Sequence, residues 1–450
     1  MPLRAAEKKQ GLELMYIYAD LLRRADTDNP VRVGLIGAGK FGSMFLSQVP
    51  TTPGLEVSVI VDLDPDKAQA ACRTVGWTED AIAAVNFTDD AEQMMRSFPP
   101  DVVVEATGNP VAGLHHAELA IANGLHIVMV NVEADVLAGA ELAQAARAAG
   151  TVYSMAYGDQ PALTVELVDW ARSCGFEVVA AGKGTKYLPS YHHTTPDTVW
   201  EHYGLTAEQA AQAGMNSQMF NSFLDGTKSA LEMAAIANAT GLACPEDGLK
   251  FPAAGMDDLA HILRPVSAGG VLDTAGQVEV VSSLERDGRP VFRDLRWGVY
   301  VVLKAPNDYA AACFRQYGMN TDSTGQYSAM YKPFHLIGLE LNISILSAAL
   351  LGQPTGTTRT FTGDVVAIAK RDLKAGEILD GEGGFTVWGK LYPAARSVAL
   401  NALPIGLAHQ VRLTADIPAG QPVCWHHIDS DQTSSAVRLR LAQQDRILSS

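Results

Sequence analysis

Cysteine is scarce in this sequence, and the few that occur lie far apart. The 450 residues contain five cysteines and no Cys-x-x-Cys pair. An odd number of scattered thiols argues against a disulfide framework and against a structural zinc site. We therefore expect reduced core thiols at all five positions, which are Cys72, Cys174, Cys244, Cys313 and Cys424.

Basic residues and long apolar runs are also lacking. Asp and Glu outnumber Lys and Arg by 50 to 34, for a net charge of −16, which disfavours a nucleic-acid partner. No apolar run is long enough for a membrane span, so no membrane partner is expected. The N-terminus carries charge throughout and does not have the apolar core of a signal peptide. Together these features predict a cytoplasmic protein.

Glycine is abundant, and three glycines have the spacing of a dinucleotide-binding loop. In VRVGLIGAGKFG (31–42), a strand pattern leads into Gly37, Gly39 and Gly42, and a helix pattern follows. In the G-x-G-x-x-G motif these glycines serve a tight turn, the approach of a pyrophosphate and close helix packing, respectively. Lys40 and Phe41 begin the helix, whose free N–H groups attract an anion. The alternative is a plain strand, turn and helix with no nucleotide.

Asp62 ends the next strand, LEVSVIVDLD, about 20 residues after the last glycine of the motif, where a carboxylate binds a ribose hydroxyl. A carboxylate there favours NAD, because it repels the 2′-phosphate of NADP. Arg73 can serve a 2′-phosphate only if its loop folds back. The choice between NAD and NADP stays open at this point.

Two further strand patterns end in polar residues. DVVVEATGNP ends in Thr107, Gly108 and Asn109, and HIVMVNVEADV contains Asn131. Ligands bind at the carboxyl edge of a parallel sheet, so we expect these residues to line the cofactor site. The alternation of strands and helices predicts a Rossmann-type, doubly wound parallel sheet.

The chain divides into four expected segments. Residues 1–30 are an amphipathic helix, 31–155 the dinucleotide-binding domain, 156–355 an α+β substrate and oligomerisation domain, and 356–450 a small all-β domain. Within the third segment we expect one long helix over MFNSFLDGTKSALEMAAIANATG and a closing helix over YKPFHLIGLELNISILSAALLG. The tail contains short strands, including VRLRLAQ, and two similar turn phrases, AKRDLKAGEIL and TADIPAGQPV.

These motifs carry a resemblance to known families. GLIGAGKFG, VVEATGNP and VMVNVEADV occur in the order seen in homoserine dehydrogenase-type oxidoreductases, and KRDLKAGEIL and DIPAGQPV resemble an SAF (β-clip) domain. The combination is similar to 1-deoxy-D-xylulose 5-phosphate reductoisomerase-like proteins. That resemblance implies an NADPH-dependent conversion of 1-deoxy-D-xylulose 5-phosphate to 2-C-methyl-D-erythritol 4-phosphate, in isoprenoid biosynthesis. Homoserine dehydrogenases carry Asn-Lys after this strand, whereas this chain has Asn131-Val132-Glu133, which argues against homoserine as the substrate.

Several residues are candidates for the chemistry. Hydride transfer requires a donor that polarises the carbonyl group, and a reductoisomerase also needs proton transfer and a stabilised oxyanion. Lys183 and Lys186 follow a strand, and the glycines beside Lys183 would allow a ligand to approach. Lys228 lies on a polar helix face. Each lysine also has a plain interpretation as a solvated side chain.

Two more groups complete the candidates. Lys332 and His335 open the expected closing helix, and His335 has a suitable ordinary pKa for a general acid. Glu133 and Asp135 lie two residues apart at a sheet edge, where they could bind a divalent ion such as Mg²⁺ or Mn²⁺. The alternatives are a structural histidine and two solvated carboxylates.

The leading hypothesis is an NAD(P)-dependent oxidoreductase, forming a homo-oligomer, that acts on a small polar carbonyl compound. Reductoisomerisation of 1-deoxy-D-xylulose 5-phosphate is the specific prediction. The alternatives are a dehydrogenase of an amino acid or sugar acid, and a nucleotide sensor without catalytic activity.

Overall fold

Six parallel strands form the first sheet, as the alternating sequence pattern predicts. The computed structural model describes residues 17–429 and 433–448, so the first sixteen residues of the expected N-terminal helix lie outside the described part. The strands are β1 Val31–Ile36, β2 Leu55–Val61, β3 Asn86–Thr88, β4 Val102–Glu105, β5 His126–Met129 and β6 Tyr153–Met155. Their order is β3-β2-β1-β4-β5-β6, which is a doubly wound arrangement.

Helices cover both faces of this sheet, because its Val- and Ile-rich strands are apolar on both sides. The helices are α1 Ile17–Asp26, α2 Lys40–Leu46, α3 Pro65–Thr74, α4 Glu79–Ala83, α5 Ala91–Ser97, α6 Pro110–Ala122 and α7 Val132–Ala149. Asp64, Asp90, Asn109 and Asn131 cap four of these helices by accepting a backbone N–H. Their first turns therefore lie at the carboxyl edge of the sheet, where the candidate cofactor residues are.

The second region contains a mixed sheet. Its elements are α8 Gln160–Ser173, β7 Glu177–Thr185, α9 Val199–Tyr203, α10 Ala207–Gln212, α11 Ser217–Leu224, α12 Thr227–Thr240, α13 Leu259–Ile262, β8 Gln277–Ser282, β9 Val299–Lys304, α14 Asp308–Gln316, β10 Tyr327–Lys332, α15 Asn342–Leu346 and a π-helical turn Ser347–Leu351. The strand order is β10-β9-β7-β8, with β7 parallel to β8 and antiparallel to β9. The buried helix α12 packs against α7, α8 and the tail.

The tail forms two small antiparallel sheets. Its elements are β11 Gly363–Ala369, β12 Ile378–Asp380, β13 Val387–Pro393, α16 Ala394–Ala399, β14 His409–Arg412 and α17 Ser435–Leu448. β11 pairs with β13, and β12 pairs with β14. The two similar turn phrases contact each other, because Leu373 and Ile417 exchange backbone hydrogen bonds of 2.8 and 2.9 Å. Short 3-10 turns occur at Val49–Thr51, Pro189–His193, Val266–Ala268, Ile405–Leu407 and Trp425–His427.

Several expected elements differ from the structure. The long helix is two helices, because Gly226 adopts a φ of +94° and interrupts the chain between α11 and α12. The closing helix begins only at Asn342, whereas Lys332 ends strand β10. VRLRLAQ is part of helix α17 and not a strand, so the tail is not all-β. Cys174 is exposed, contrary to the expected core position.

Helix α17 joins the tail to the nucleotide-binding sheet. Helix α7 is kinked at Ala138, whose φ of −154° and ψ of 25° are not helical. The Gln443 side chain of α17 accepts a hydrogen bond from Ala140 N at 3.2 Å and donates one to Leu137 O at 3.2 Å. It thus satisfies backbone groups that the kink leaves unpaired in the buried interior. No helix in the described ranges is both long and apolar enough to cross a membrane.

Candidate active site

The glycine loop has the geometry that the motif predicts. Gly37 has a φ of +95°, and a Cβ there would lie 2.8 Å from Ala106 O. A Cβ on Gly42 would collide with Gly37 O, whereas one on Gly39 would meet nothing within 4 Å. Gly37 and Gly42 are therefore needed for the turn and for packing, and Gly39 leaves open space for a ligand. Lys40 is exposed at the first position of α2, and Phe41 packs partly into the core.

Asp62 links the glycine loop to the end of β2. Its carboxylate accepts hydrogen bonds from Ala38 N at 2.9 Å and Asp64 N at 3.1 Å. Arg73 does not fold back toward this edge, because its guanidinium pairs with Glu79 at 2.8 Å. The described residues around Asp62 therefore fit a ribose hydroxyl better than a 2′-phosphate.

Thr107, Gly108 and Asn109 form an exposed edge after β4. Gly108 has a φ of +70°, and a Cβ there would meet nothing within 4 Å. Asn131 is buried and donates a hydrogen bond to Asn109 O at 2.8 Å, so it positions this edge instead of facing a ligand. No sequence pattern points to Glu105, a fully buried carboxylate that accepts hydrogen bonds from the backbone N–H and hydroxyl of Thr107.

Five charged side chains come together where the first sheet faces the second region. We call them the charged cluster, and they are Glu133, Asp159, Lys183, Lys228 and Glu232. Lys228 Nζ lies 2.6 Å from Glu133 Oε1, and Lys183 pairs with Glu232. Gln160 Oε1 accepts a hydrogen bond of 3.1 Å from Lys183. The cluster therefore contains three of the lysine and carboxylate candidates predicted from the sequence.

The elements that hold the cluster explain its geometry. Glu133 lies in the first turn of α7 and Asp159 caps α8, so two carboxylates are at helix N-termini, where the helix dipole favours negative charge. Lys228 and Glu232 are one turn apart on α12 and so share a face. Lys183 reaches the cluster from β7.

Burial and neighbouring charges change the ionisation of the cluster. Burial, followed by repulsion from the Glu232 carboxylate, raises the pKa of Asp159 to about 6. Burial alone would lower the pKa of Lys228, but the surrounding carboxylates, Glu133 first among them, raise it above its ordinary value. Burial, followed by repulsion from Glu133, raises the pKa of Glu382 in the tail to about 8. Lys228 is therefore a stable cation, and Asp159 changes its charge near neutral pH.

The remaining lysine and histidine candidates lie in other contacts. Lys186 donates to the carbonyl oxygen of His202, and burial lowers its pKa. Lys332 pairs with Glu340 at 2.7 Å. His335 contacts Trp297 O at 2.7 Å, although it is close enough to Asp159 to lower the pKa of that carboxyl. Lys332 and His335 do not open a helix as expected.

The two expected metal ligands do not form one site. Glu133 pairs with Lys228, whereas Asp135 accepts hydrogen bonds from Tyr153 Oη at 2.9 Å and Thr358 Oγ1 at 2.8 Å. Burial raises the pKa of Asp135 to about 6. The two residues are two apart on helix α7, so their carboxylates point in different directions. This geometry corrects the expectation that they bind one metal ion together. Among residues 17–429 and 433–448, no group of three or more His, Cys, Asp or Glu side chains could hold a metal ion.

The glycines beside Lys183 also have a different role from the one expected. A Cβ on Gly182 would collide with Glu279 O, and one on Gly184 with Leu295 O. These glycines therefore allow close packing of the protein backbone, and Lys183 itself is buried within β7.

Asp159, Gln160 and Glu232 were missed by the sequence analysis. Two of them carried a signal: Asp159 follows the last strand of the parallel sheet, and Glu232 lies four residues after Lys228 on a helix. Glu382 had no signal, because it reaches this region from a distant loop of the tail.

Two protein-family models match the sequence. Residues 37–155 match the NAD binding domain of homoserine dehydrogenase. Residues 158–341 match the catalytic domain of oxidoreductase DRL. The first match contains the glycine loop, Asp62 and Glu133, and the second contains the rest of the charged cluster.

Solved structures with some similarity include several dehydrogenases. Myo-inositol dehydrogenase from Lactobacillus casei, in complex with NAD(H) and myo-inositol, is 18% identical with a TM-score of 0.29, over 38% of this chain and 50% of that one. Dihydrodipicolinate reductase from Paenisporosarcina sp. TG-14 is 11% identical with a TM-score of 0.35, over 72% of this chain and 97% of that one. The sequence matches no curated protein.

Proposed function

We propose that this chain, which its two domain matches identify as an NAD(P)-dependent oxidoreductase, reduces the carbonyl group of a small polar substrate at the charged cluster. The observation that carries the proposal is the pair of Lys228 and Glu133. This ion pair connects α7 of the nucleotide-binding region to α12 of the second region. Both side chains are partly exposed, Lys228 by 17% and Glu133 by 11%. A cation at this junction can face a substrate held against the cofactor.

The residues present fit a nicotinamide dinucleotide. The loop of residues 37–42 has room at Gly39, the first turn of α2 offers its N–H groups to the pyrophosphate, and Asp62 can accept a hydrogen bond from a ribose hydroxyl. When bound, the cofactor supplies the hydride. Because Asp62 is acidic and Arg73 is held by Glu79, we propose that NAD is preferred over NADP.

The cluster residues take different parts in the reduction. Lys228 stays protonated and donates a hydrogen bond to the carbonyl oxygen, which stabilises the negative charge that develops there. Asp159, with a pKa of about 6, carries a proton in a fraction of the molecules near neutral pH, and in that form it can pass the proton toward that oxygen. The buried ion pair of Lys183 and Glu232 holds Lys228 and Asp159 in position and excludes water from the site.

For the substrate, we propose 1-deoxy-D-xylulose 5-phosphate and its reductoisomerisation to 2-C-methyl-D-erythritol 4-phosphate. This proposal is supported by the match to the DRL catalytic domain, together with the SAF-like phrases of the tail. The reaction consumes one hydride and one proton and rearranges one carbon–carbon bond, so the cluster needs both a proton donor and a cation for the oxyanion.

The test is the absorbance of the reduced nicotinamide. Purified protein is mixed with Mg²⁺ or Mn²⁺, 1-deoxy-D-xylulose 5-phosphate, and NADH or NADPH. We expect oxidation of the cofactor, faster with NADH, with one branched tetritol phosphate formed per cofactor. If both cofactors bind but neither is oxidised, this substrate is wrong. A panel of amino-acid and sugar-acid carbonyl compounds then tests the simpler dehydrogenase.

The organisation of the molecule adds two proposals. We propose domain limits at 31–155, 156–355 and 356–450, and a homo-oligomer as the working form. Sedimentation velocity of the full chain tests the second proposal, and a single species at the monomer mass of 47.9 kDa would contradict it.

A further inference from the structure

A cavity lies between the tail and the second region, and it is separate from the charged cluster. Its volume is about 200 Å³. Apolar side chains form most of its wall, and they are Ala230, Leu249, Phe251, Trp388 and Leu391. A mostly apolar lining with a few polar groups is typical of a site for a small molecule, and this volume, below the usual range of about 300–1,000 Å³, suits only a very small ligand.

Helix α12 separates this cavity from the charged cluster. Gly226 and Ala230 line the cavity, whereas Lys228 and Glu232 belong to the cluster. Ala230 is two residues from both Lys228 and Glu232, and residues two apart on a helix differ in direction by about 200°, so Ala230 lies on the side of α12 away from the cluster; Gly226 precedes the helix. A ligand in the cavity would therefore contact neither the cluster nor the glycine loop of residues 37–42.

The aromatic wall is held in place by its own contacts. The Trp388 ring stacks on His192 with centroids 3.8 Å apart. Both imidazole nitrogens of His192 are engaged, one with Tyr187 Oη at 2.9 Å and one with Asp225 O at 2.7 Å. Burial lowers the pKa of His192 to about 4, so the ring is neutral. The wall therefore presents a rigid aromatic surface without a charge of its own.

Phe251 reaches the cavity through a strained backbone. Its φ is +48°, a left-handed value that a bulky residue rarely adopts. The buried carboxyl group of Glu279 supports this conformation by accepting hydrogen bonds from Phe251 N at 3.3 Å and Lys250 N at 3.0 Å. The Phe251 ring also stacks on Tyr187, with centroids 3.9 Å apart. Strain of this kind persists where the surroundings fix it, and it often accompanies a binding site.

One free cation lies at this cavity. Asp247, which also lines it, is paired with Arg396 at 2.9 Å. Among the residues that the structure describes, Lys390 Nζ has no ion pair and no hydrogen bond, and it lies 5.2 Å from the ring centre of Tyr392. Arg396, and to a smaller extent Lys390, hold the pKa of the Asp247 carboxyl below its ordinary value, so the Lys390 charge is partly balanced while its N–H donors stay open to a ligand. An apolar, aromatic cavity with such an ammonium group matches an aromatic acid.

We propose that this cavity binds a small aromatic carboxylate, with its ring against Trp388 and Phe251 and its carboxylate on Lys390. The ligand occupies a site separate from the reaction site, and this proposal does not depend on the substrate proposed above. No covalent step is involved.

Isothermal titration of the full-length protein with benzoate tests this proposal. A molecule of this size should bind with a Kd of about 1 mM or tighter. Benzyl alcohol has the ring without the charge and should bind at least about tenfold more weakly. Lys390→Met should weaken benzoate binding by a similar factor. The matched control, Lys374→Met, removes an exposed lysine of the same tail and should not change the affinity.

Two further variants locate the bound probe. Ala230→Leu fills the cavity and should abolish benzoate binding, while NADH binding stays normal and reports an intact fold. Lys228→Met alters the charged cluster and should leave benzoate affinity unchanged. The proposal is overturned if the wild type does not bind benzoate, or if binding survives Ala230→Leu but is lost in Lys228→Met, which would place the probe in the reaction site.

Discussion

The nucleotide edge and the charged cluster are built in different ways. The first name is used for residues 37–42, Asp62 and residues 107–109. The edge uses backbone N–H groups, glycines and one carboxylate within residues 37–62. The cluster brings side chains together from α7, α8, β7 and α12, and its central pair is 95 residues apart in sequence. The comparison teaches that a site made of backbone can be recognised from a short motif, whereas a site made of side chains requires the fold.

The two regions also differ in how they tolerate change. The edge is exposed at Gly39 and at Thr107 to Asn109, so a substitution at these positions acts mainly on the ligand, whereas Gly42 is buried. The cluster is buried most deeply at Lys183 and Glu232 and less deeply at Lys228 and Glu133. Removing one partner of a fully buried ion pair leaves a charge uncompensated, at a cost of about 3–5 kcal/mol. Variants of the edge should therefore change cofactor binding, whereas variants of the cluster should change kcat or the free energy of unfolding.

The largest effect is expected for Lys228→Met. Loss of the cation at the carbonyl oxygen should reduce kcat by about a thousandfold, while the Kd for NADH stays the same, because the edge is intact. Lys332→Met is the matched control, since Lys332 is also partly buried and paired with a glutamate at a similar distance. Steady-state assays and NADH titration compare the two variants. Equal losses in both would show that the cluster has no special part in the chemistry.

A second prediction concerns Asp135, beside the cluster but not in it. Burial raises its pKa from 3.8 to about 6, so folding favours the protonated carboxyl, and stability from this group is lost as pH rises from about 4 through 6. Relative to Asp135→Asn, the wild type should therefore lose about 2 kcal/mol of unfolding free energy between pH 4 and pH 7. Urea unfolding across this range measures the difference. A constant difference between the two proteins would contradict the raised pKa.

Alanine substitutions at two glycines of the edge should separate an effect on NADH affinity from an effect on thermal stability. Gly39→Ala adds a methyl group where only a ligand would be, so NADH affinity should fall about fiftyfold, or ~2 kcal/mol, with unchanged thermal stability. Gly42→Ala places the methyl group against Gly37 O and should lower the melting temperature. Calorimetry and NADH titration distinguish the two. The assignment of the loop fails if Gly39→Ala binds NADH normally.

The smallest effect is expected at Asp62. Asp62→Asn can still accept the hydrogen bond from Ala38 N but carries no charge, so the ratio of NADPH to NADH affinity should rise by about tenfold. Titration with both cofactors measures the ratio. If NADPH already binds the wild type more tightly, the proposed preference for NAD is wrong.

The same contrast explains what could be predicted from the sequence. Gly37, Gly39, Gly42 and Asp62 were found because a local pattern determines their geometry. Glu133 was noticed as a reversal of the charge that homoserine dehydrogenases carry near this position, but its partner Lys228 comes from a different helix. Only the fold shows that this pair forms an ion pair and not a metal site.

Tertiary contacts also overrode local patterns elsewhere. VRLRLAQ alternates like a strand, yet α17 is a helix whose buried Arg440 and Gln443 face Asp364 and the kink of α7. The sequence around Lys332 and His335 has a helical pattern, but the chain up to Lys332 is an extended strand because it pairs with β9. In both cases the local conformation depends on a partner that is distant in sequence, so the local pattern alone could not predict it.

The most direct test of the account is a crystal structure of the protein with NADH bound. If the edge and the cluster form one reaction site, the nicotinamide ring will lie beside Thr107 to Asn109, with its C4 atom about 7 Å from Lys228 Nζ, which leaves room for one carbonyl group. A nicotinamide C4 more than about 12 Å from Lys228 Nζ, too far for one carbonyl group to bridge, would contradict the account.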